Sequence, residues 1–240
     1  MNKDVFYIKI ADLTVEMRAK YPLSRKRCKD YLCEPVGTPD IIAEVSDHEV
    51  AAERDASGED FSPAYCEDIC LYRAIAEQLP RFDRFVFHGA ALFANDRGYI
   101  FSAPAGTGKS THARLWLEQF EEKVGIINGD KPIISLSGDG AVVCSTPWAG
   151  KEGWQRNISL RLDGICLLSR AANNHIEQIA PADYFAEIIR QVYIPKDGEA
   201  RLRTLELLDK LASRVKFWHL ECNISPEAAR TSYDAMVENK

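Results

Sequence analysis

Residues 103–110 read Ala-Pro-Ala-Gly-Thr-Gly-Lys-Ser, and nothing else in the 240-residue chain restricts its fold and chemistry as tightly. The stretch follows the phosphate-loop pattern G-x-x-x-x-G-K-[ST], with Ala103 in place of the first glycine. A small residue suffices there, where the chain leaves a strand. Gly106 and Gly108 let the backbone turn so that successive N–H groups point inward at phosphate oxygens. Residues 99–102 have strand character and residues 111–122 helical character, so the loop also receives the positive end of a helix dipole. Ala105, Gly106, Thr107, Gly108, Lys109, Ser110 and Thr111 are therefore the candidate phosphate contacts. Lys109 reaches the β- and γ-phosphates as a point charge, and the Ser110 hydroxyl suits Mg²⁺. The competing reading, a glycine-rich turn with a chance Lys-Ser, leaves the flanking strand and helix unexplained. ATP or another nucleoside triphosphate, with Mg²⁺, is the expected ligand.

A phosphate loop does not by itself define a reaction. Magnesium at such a loop needs a further carboxylate close by. The apolar run Val124-Gly-Ile-Ile-Asn-Gly-Asp130 supplies one on the next strand after the loop helix. Asp130 is expected to hold the metal or to take a proton from an attacking hydroxyl; the alternative is a turn aspartate in Asn-Gly-Asp. Lys131 is a weaker phosphate candidate, equally a solvated turn lysine. His88 interrupts the apolar strand read over residues 85–94. A ring nitrogen there needs a partner or a job. It is either a base or orienting donor near the γ-phosphate or a satisfied core histidine.

Composition narrows the class. About 46% of residues are hydrophobic and 28% charged, enough for a sizeable core and too apolar for global disorder. Asp and Glu number 36 against 30 Lys and Arg, a net charge of −6, which disfavours nucleic acid and anionic membranes as partners. No apolar run approaches the roughly 18 residues of a transmembrane helix. The first residues do not read as a signal peptide, so a cytoplasmic protein is expected. Seven cysteines are present without a CxxC. Cys66 and Cys70 lie one helical turn apart, but no second pair follows at zinc spacing, so reduced structural thiols are expected.

Period and turn chemistry organise the rest. Phe6, Ile8 and Ile10 alternate as a strand; residues 17–40 show no clear period; residues 41–45 make a short strand. Ser46 and Glu49 form a capping box, residues 55–62 a loop, and residues 63–79 a helix ended by Pro80. Strands are expected at 85–94, 99–102, 124–128, 133–136, 141–145, 158–168 and 217–222, and helices at 182–193 and 199–214. Ser225 and Pro226 open a last helix. Hairpins around a glycine loop predict an α/β fold of α+β character, a mixed sheet with flanking helices. Residues 1–80 form an appended layer or small domain, and residues 81–240 the phosphate-loop domain.

His88-Gly89, a hairpin, Ala-Pro-Ala-Gly-Thr-Gly-Lys-Ser-Thr and then Asn-Gly-Asp-Lys-Pro, in that order, resemble the HPr kinase/phosphorylase family and its small relatives. These share a core with ATP-dependent phosphoenolpyruvate carboxykinase. The resemblance covers residues 83–170 well and the remainder loosely. It implies Mg²⁺-dependent phosphoryl transfer to a serine, threonine or small-molecule hydroxyl, with the family's histidine at His88, its lysine at Lys109 and its metal hydroxyl at Ser110. It also implies a tendency to self-assemble. The family has two adjacent aspartates after the next strand; here the first is Gly129 and only Asp130 remains. Asp130 then serves both roles, His88 stands in, or catalysis is lost. The C-terminal signature of true HPr kinases is absent. Residues 146–157 resemble a loop of the small relatives carrying Lys151 and Arg156 between and after two tryptophans. Such a loop closes on phosphates or is an exposed turn; the fork of Arg156 suits transition-state charge. The leading expectation is a kinase. The alternative is a nucleotide-binding accessory or regulatory protein, and a third is the reverse, phosphorylase direction.

Overall fold

The computed structural model describes residues 3–35 and 37–238. The chain's opening Met1-Asn2, part of the signal-peptide reading, lies outside them.

Alternation builds the first layer. Phe6, Ile8 and Ile10 point inward along β1 (Asp4–Ile10), and Leu13, Val15, Met17 and Ala19 along β2 (Leu13–Ala19). Ala11 and Asp12 take φ of +48° and +62°, as a two-residue primed hairpin turn requires. β2 corrects the expectation that no period runs past residue 17. Its outer face carries Glu16 and Arg18, ion-paired at 2.6 Å, and that charge masks the alternation. The short helix α1 (Pro22–Arg27) follows, also unforeseen, then β3 (Leu32–Cys33) and β4 (Ile41–Glu44). The sheet order is β3-β1-β2-β4.

Helix α2 (Asp47–Ser57) opens on the expected capping box, with the Ser46 hydroxyl accepting from the Glu49 amide. It runs to Ser57, three residues into the stretch read as a loop, and stops at Gly58. Helix α3 (Pro63–Ala76) ends before Pro80, which sits instead in a 3₁₀ turn over Leu79–Phe82. Leu71 and Ile75 of α3 pack with Ile8, Val15 and Met17. The same apolar cluster takes in Val86, Ile133, Cys144 and Trp148 from beyond residue 80.

The second sheet joins nine strands. The single strand expected at 85–94 is two, β5 (Arg84–Val86) and β6 (Ala90–Ala94), because residues 87–89 bond elsewhere. The Phe87, His88 and Gly89 amides donate to the carbonyls of Pro132, Gln191 and Asp130. β6 turns back through Asn95-Asp96 into β7 (Arg97–Ser102), the expected hairpin. Helix α4 (Lys109–Phe120) and β8 (Val124–Asn128) follow; β8 pairs with β6, not with β7. β9 (Ile133–Ser135) and β10 (Val142–Cys144) form the second expected hairpin, which β5 extends.

β11 (Ser159–Arg170) is the hub, antiparallel to β10 and parallel both to β7 and to β13 (Lys216–Cys222). β12 (His175–Ile179), another strand not foreseen, pairs with β13. The helix expected at 182–193 reduces to a 3₁₀ turn and α5 (Phe185–Ile189), because Val192 and Tyr193 bond back to residues 86–87. Helices α6 (Gly198–Arg214) and α7 (Pro226–Tyr233) start where Asp197 and Ser225 cap them. The architecture is a mixed α/β fold.

Helix α4 is pinned to this sheet by aromatic packing. Trp116 is fully buried, its ring 4.9 Å from Phe101 and 5.3 Å from Tyr233. Its indole N–H donates to Ser232 Oγ at 2.8 Å, and His112 Nε2 lies 3.0 Å from the same oxygen. Burial pushes the His112 ring down to about 4, so it stays neutral. His112 and Trp116 are core residues. His219 Nε2 lies 2.9 Å from Ser169 Oγ. All seven cysteines are free thiols. Among the described residues no helix is long and apolar enough to cross a membrane.

Candidate functional site

The phosphate-loop residues leave the end of β7 and enter α4. Gly106 and Gly108 take φ of +78° and +127°, conformations that a side chain would strain. From the end of the adjacent parallel strand, Arg170 donates to the carbonyls of Gly106 and Thr107, with Nε at 3.1 Å from the latter. Those carbonyls are thereby held outward. Ala103, in the glycine's place, is buried, and its carbonyl accepts from Lys109 Nζ at 2.9 Å. Burial pulls the Lys109 ammonium below its usual value, and the charge of Asp130 opposes that shift.

Asp130 is placed by Asn128, whose side chain is fully buried at the end of β8. Asn128 Oδ1 accepts from the amides of Asp130 and Lys131 at 2.9 and 2.7 Å, while its Nδ2 donates to the Thr146 carbonyl at 2.9 Å. The turn is therefore rigid and aims the next two side chains together. Asp130 Oδ1 lies 3.2 Å from His88 Nε2, and Oδ2 lies 2.5 Å from Lys131 Nζ. Burial by itself would raise the Asp130 carboxyl, but the His88 contact and the Lys131 charge overrule it and hold it at about 2. His88 Nδ1 faces Gln191 Oε1 at 3.1 Å, so the ring is oriented from both sides. This is a histidine between strands, facing a carboxylate, and not a residue of a continuous apolar strand.

Gly129 has a steric reason as well as a place in the pattern. A Cβ on it would stand 2.8 Å from the Ala149 carbonyl oxygen and 3.4 Å from Trp154. The loop after residue 146 packs directly on the Asn-Gly-Asp turn.

These groups line one cleft of about 940 Å³. Ala105, Gly106, Gly108, Lys109, Ser110 and Thr111 form one part of it, and His88, Gly129, Asp130 and Lys131 another. Thr107 does not line it; it faces a smaller hollow of about 340 Å³ beside α4. The rest of the lining was not read from the sequence. It comes from Arg27 at the end of α1 and from Tyr65, Asp68, Ile69, Tyr72 and Arg73 on α3; the segment around Lys151, which the sequence did mark, completes the lining. Asp68 is almost fully buried; it pairs with Arg27 at 2.8 Å and accepts from Ser24 Oγ at 3.0 Å and Trp148 Nε1 at 3.2 Å. Helical spacing places Asp68 and Tyr72 on one face, but no motif singles them out.

The structure does not bring Arg156 to the cleft. Its guanidinium lies 5.9 Å from the Phe93 ring, outside the lining, and its amide bonds the Ile127 carbonyl at 3.0 Å. Lys151, of the same loop, does line the cleft. Trp148, weighed as half of an exposed turn, is buried against Tyr72 with ring centroids 5.3 Å apart.

The donors present suit Mg²⁺. One carboxylate and one hydroxyl, both hard oxygens, match a cation that keeps water and phosphate for its other ligands. Among the described residues no cluster of three or more His, Cys, Asp or Glu forms an all-protein metal cage.

No protein-family model matches the chain, and none of the curated proteins does. Among solved structures it is similar to the HPr(Ser) kinase/phosphatase from Coxiella burnetii, at 13% identity and a TM-score of 0.30. That likeness covers 53% of this chain and 88% of the other.

Proposed function

We propose that the cleft binds ATP with Mg²⁺ and transfers the terminal phosphoryl group to a hydroxyl acceptor. The observation that carries this reading is the meeting of a phosphate loop and an oriented Asp130–His88 pair in one cleft. The loop amides and the N-terminus of α4 bind the phosphates, and Lys109 neutralises charge on the β- and γ-groups. Ser110 and Asp130 are the residues that would hold Mg²⁺, which when bound offsets charge on the phosphate oxygens. The acceptor oxygen forms a bond to the γ-phosphorus as the bond to the ADP oxygen breaks. The acceptor's proton passes to the Asp130 carboxylate, with His88 fixing that carboxylate's orientation. Positioning and charge neutralisation supply most of the rate in such a transfer.

The test is transfer of label from γ-labelled ATP to hydroxyl compounds and seryl peptides, with calorimetric binding of MgATP measured alongside. Label transfer that disappears in Asp130→Asn supports the kinase; tight binding with no transfer to any acceptor overturns it.

One observation favours a second reading, a nucleotide-binding accessory protein. The Ala149 carbonyl closes off the place where a second carboxylate would sit. On that reading MgATP binds and is not turned over.

A further inference from the structure

A phosphate loop, Lys109 and Mg²⁺ answer the charge of a triphosphate, yet the cleft carries more cations than that. Arg27, Arg73 and Lys151 also line it. Asp68, the carboxylate on the same wall, is committed to Arg27, Ser24 and Trp148. The guanidinium of Arg27 is therefore fixed in the wall by a buried acid while 27% of its side chain stays exposed. Its Nε is buried and makes no aligned hydrogen bond, although Asp68 Oδ2 stands 2.8 Å away. Arg73 pairs with Glu53 and keeps 45% of its side chain exposed. In an in-line transfer the acceptor enters opposite the leaving oxygen. With the phosphates on the loop side, the lining left for an acceptor includes that of α1 and α3, with two guanidiniums, the rings of Tyr65 and Tyr72, and Ile69, and the later loop adds Lys151 and Glu152.

Building on the phosphoryl-transfer reading, we propose that the acceptor carries an anionic group, a carboxylate or a phosphate, beside its hydroxyl, and that Arg27 and Arg73 bind it. Planar guanidiniums match either oxyanion with paired N–H donors. Each guanidinium already faces one carboxylate, Asp68 or Glu53, and an anionic acceptor would give both a second oxyanion partner.

The experiment compares label transfer from γ-labelled ATP within matched pairs: glycerate and glycerol phosphate against glycerol, N-acetylserine against N-acetylserinamide, and a seryl peptide with acidic flanks against its amidated form. The expected result is transfer to the charged member of a pair, with KM for it raised at least about tenfold in Arg73→Gln and MgATP affinity unchanged. Arg27→Gln uncovers the buried Asp68, so Arg27→Lys and Arg73→Gln are the variants that keep the test independent of folding. A loss confined to kcat, equal for all acceptors, would place the arginines on the transferring phosphoryl group and overturn the proposal. So would equal transfer to the neutral members. Failure to bind MgATP sinks the phosphoryl-transfer reading itself, whereas transfer to neutral acceptors sinks the anion site alone.

Discussion

The carbonyl oxygen of Ala149 stands 2.8 Å from where a Cβ on Gly129 would be. The missing aspartate of the resemblance is therefore not a simple deletion of a functional group. The backbone of a neighbouring loop occupies its space, and that loop is itself held by a bond from the Gly129 amide to the Trp154 carbonyl at 2.8 Å. Gly129→Ala is expected to destabilise the protein by roughly 1–3 kcal/mol, the usual penalty of overpacking against a part that has little room to shift. Gly129→Asp is expected to lower stability further and not to raise label transfer. Urea unfolding of both variants, with transfer measured on the folded fraction, checks this.

Lys109→Gln should leave the fold intact, since its ammonium bonds only the Ala103 carbonyl. MgATP affinity should fall at least about tenfold, the loss of one charge-assisted contact to phosphate. Calorimetric titration reads the affinity, and an unchanged Kd would remove the phosphate loop from the functional account.

Arg170 does not itself line the cleft and is expected to matter to it all the same. Its bonds to the Gly106 and Thr107 carbonyls hold the loop in shape. Arg170→Met should weaken MgATP binding several-fold, because the ordering that Arg170 now supplies would have to occur on binding. The unfolding midpoint should move far less than the affinity does.

The Asp130 carboxyl titrates at about 2 in the fold against an ordinary value of 3.8. Its folded-state value is depressed, so its contribution is present above about pH 4 and is lost as the pH falls through about 2. The size is about 2 kcal/mol. Asp130→Asn should therefore be less stable than the parent at pH 7, with the difference shrinking toward zero in acid. Denaturant midpoints at pH 7 and pH 3 measure it, and a gap that stays constant would mean that His88 and Lys131 do not hold the carboxylate as described.

How much of this could be read beforehand follows the range of the forces involved. The phosphate loop is contiguous, and its glycines carry their own conformational demand, so Gly106 to Ser110 stood out directly. Alternation placed β1, and caps placed α2 and α7. β2 had the same alternation, Leu13 to Ala19, but its charged outer face and the basic stretch beyond it hid the period. The break at residues 87–89 depends on partners as distant as Pro132 and Gln191, and no local pattern encodes it. Arg27 and Arg73 reach the cleft only because α1 and α3 pack where they do. Arg156 was nominated for its chemistry, and its guanidinium lies instead near the Phe93 ring, a neighbour that no local pattern encodes.

The Trp148 indole donates to Asp68, so a loop from the second half of the chain is fastened to a helix from the first. A complete cleft is thus a late event in folding: the phosphate loop waits for Arg170 and the opposite wall for Trp148, and both are contacts between distant stretches. A chain emerging from the ribosome would hold neither half in final form until the strand that carries Arg170 had followed.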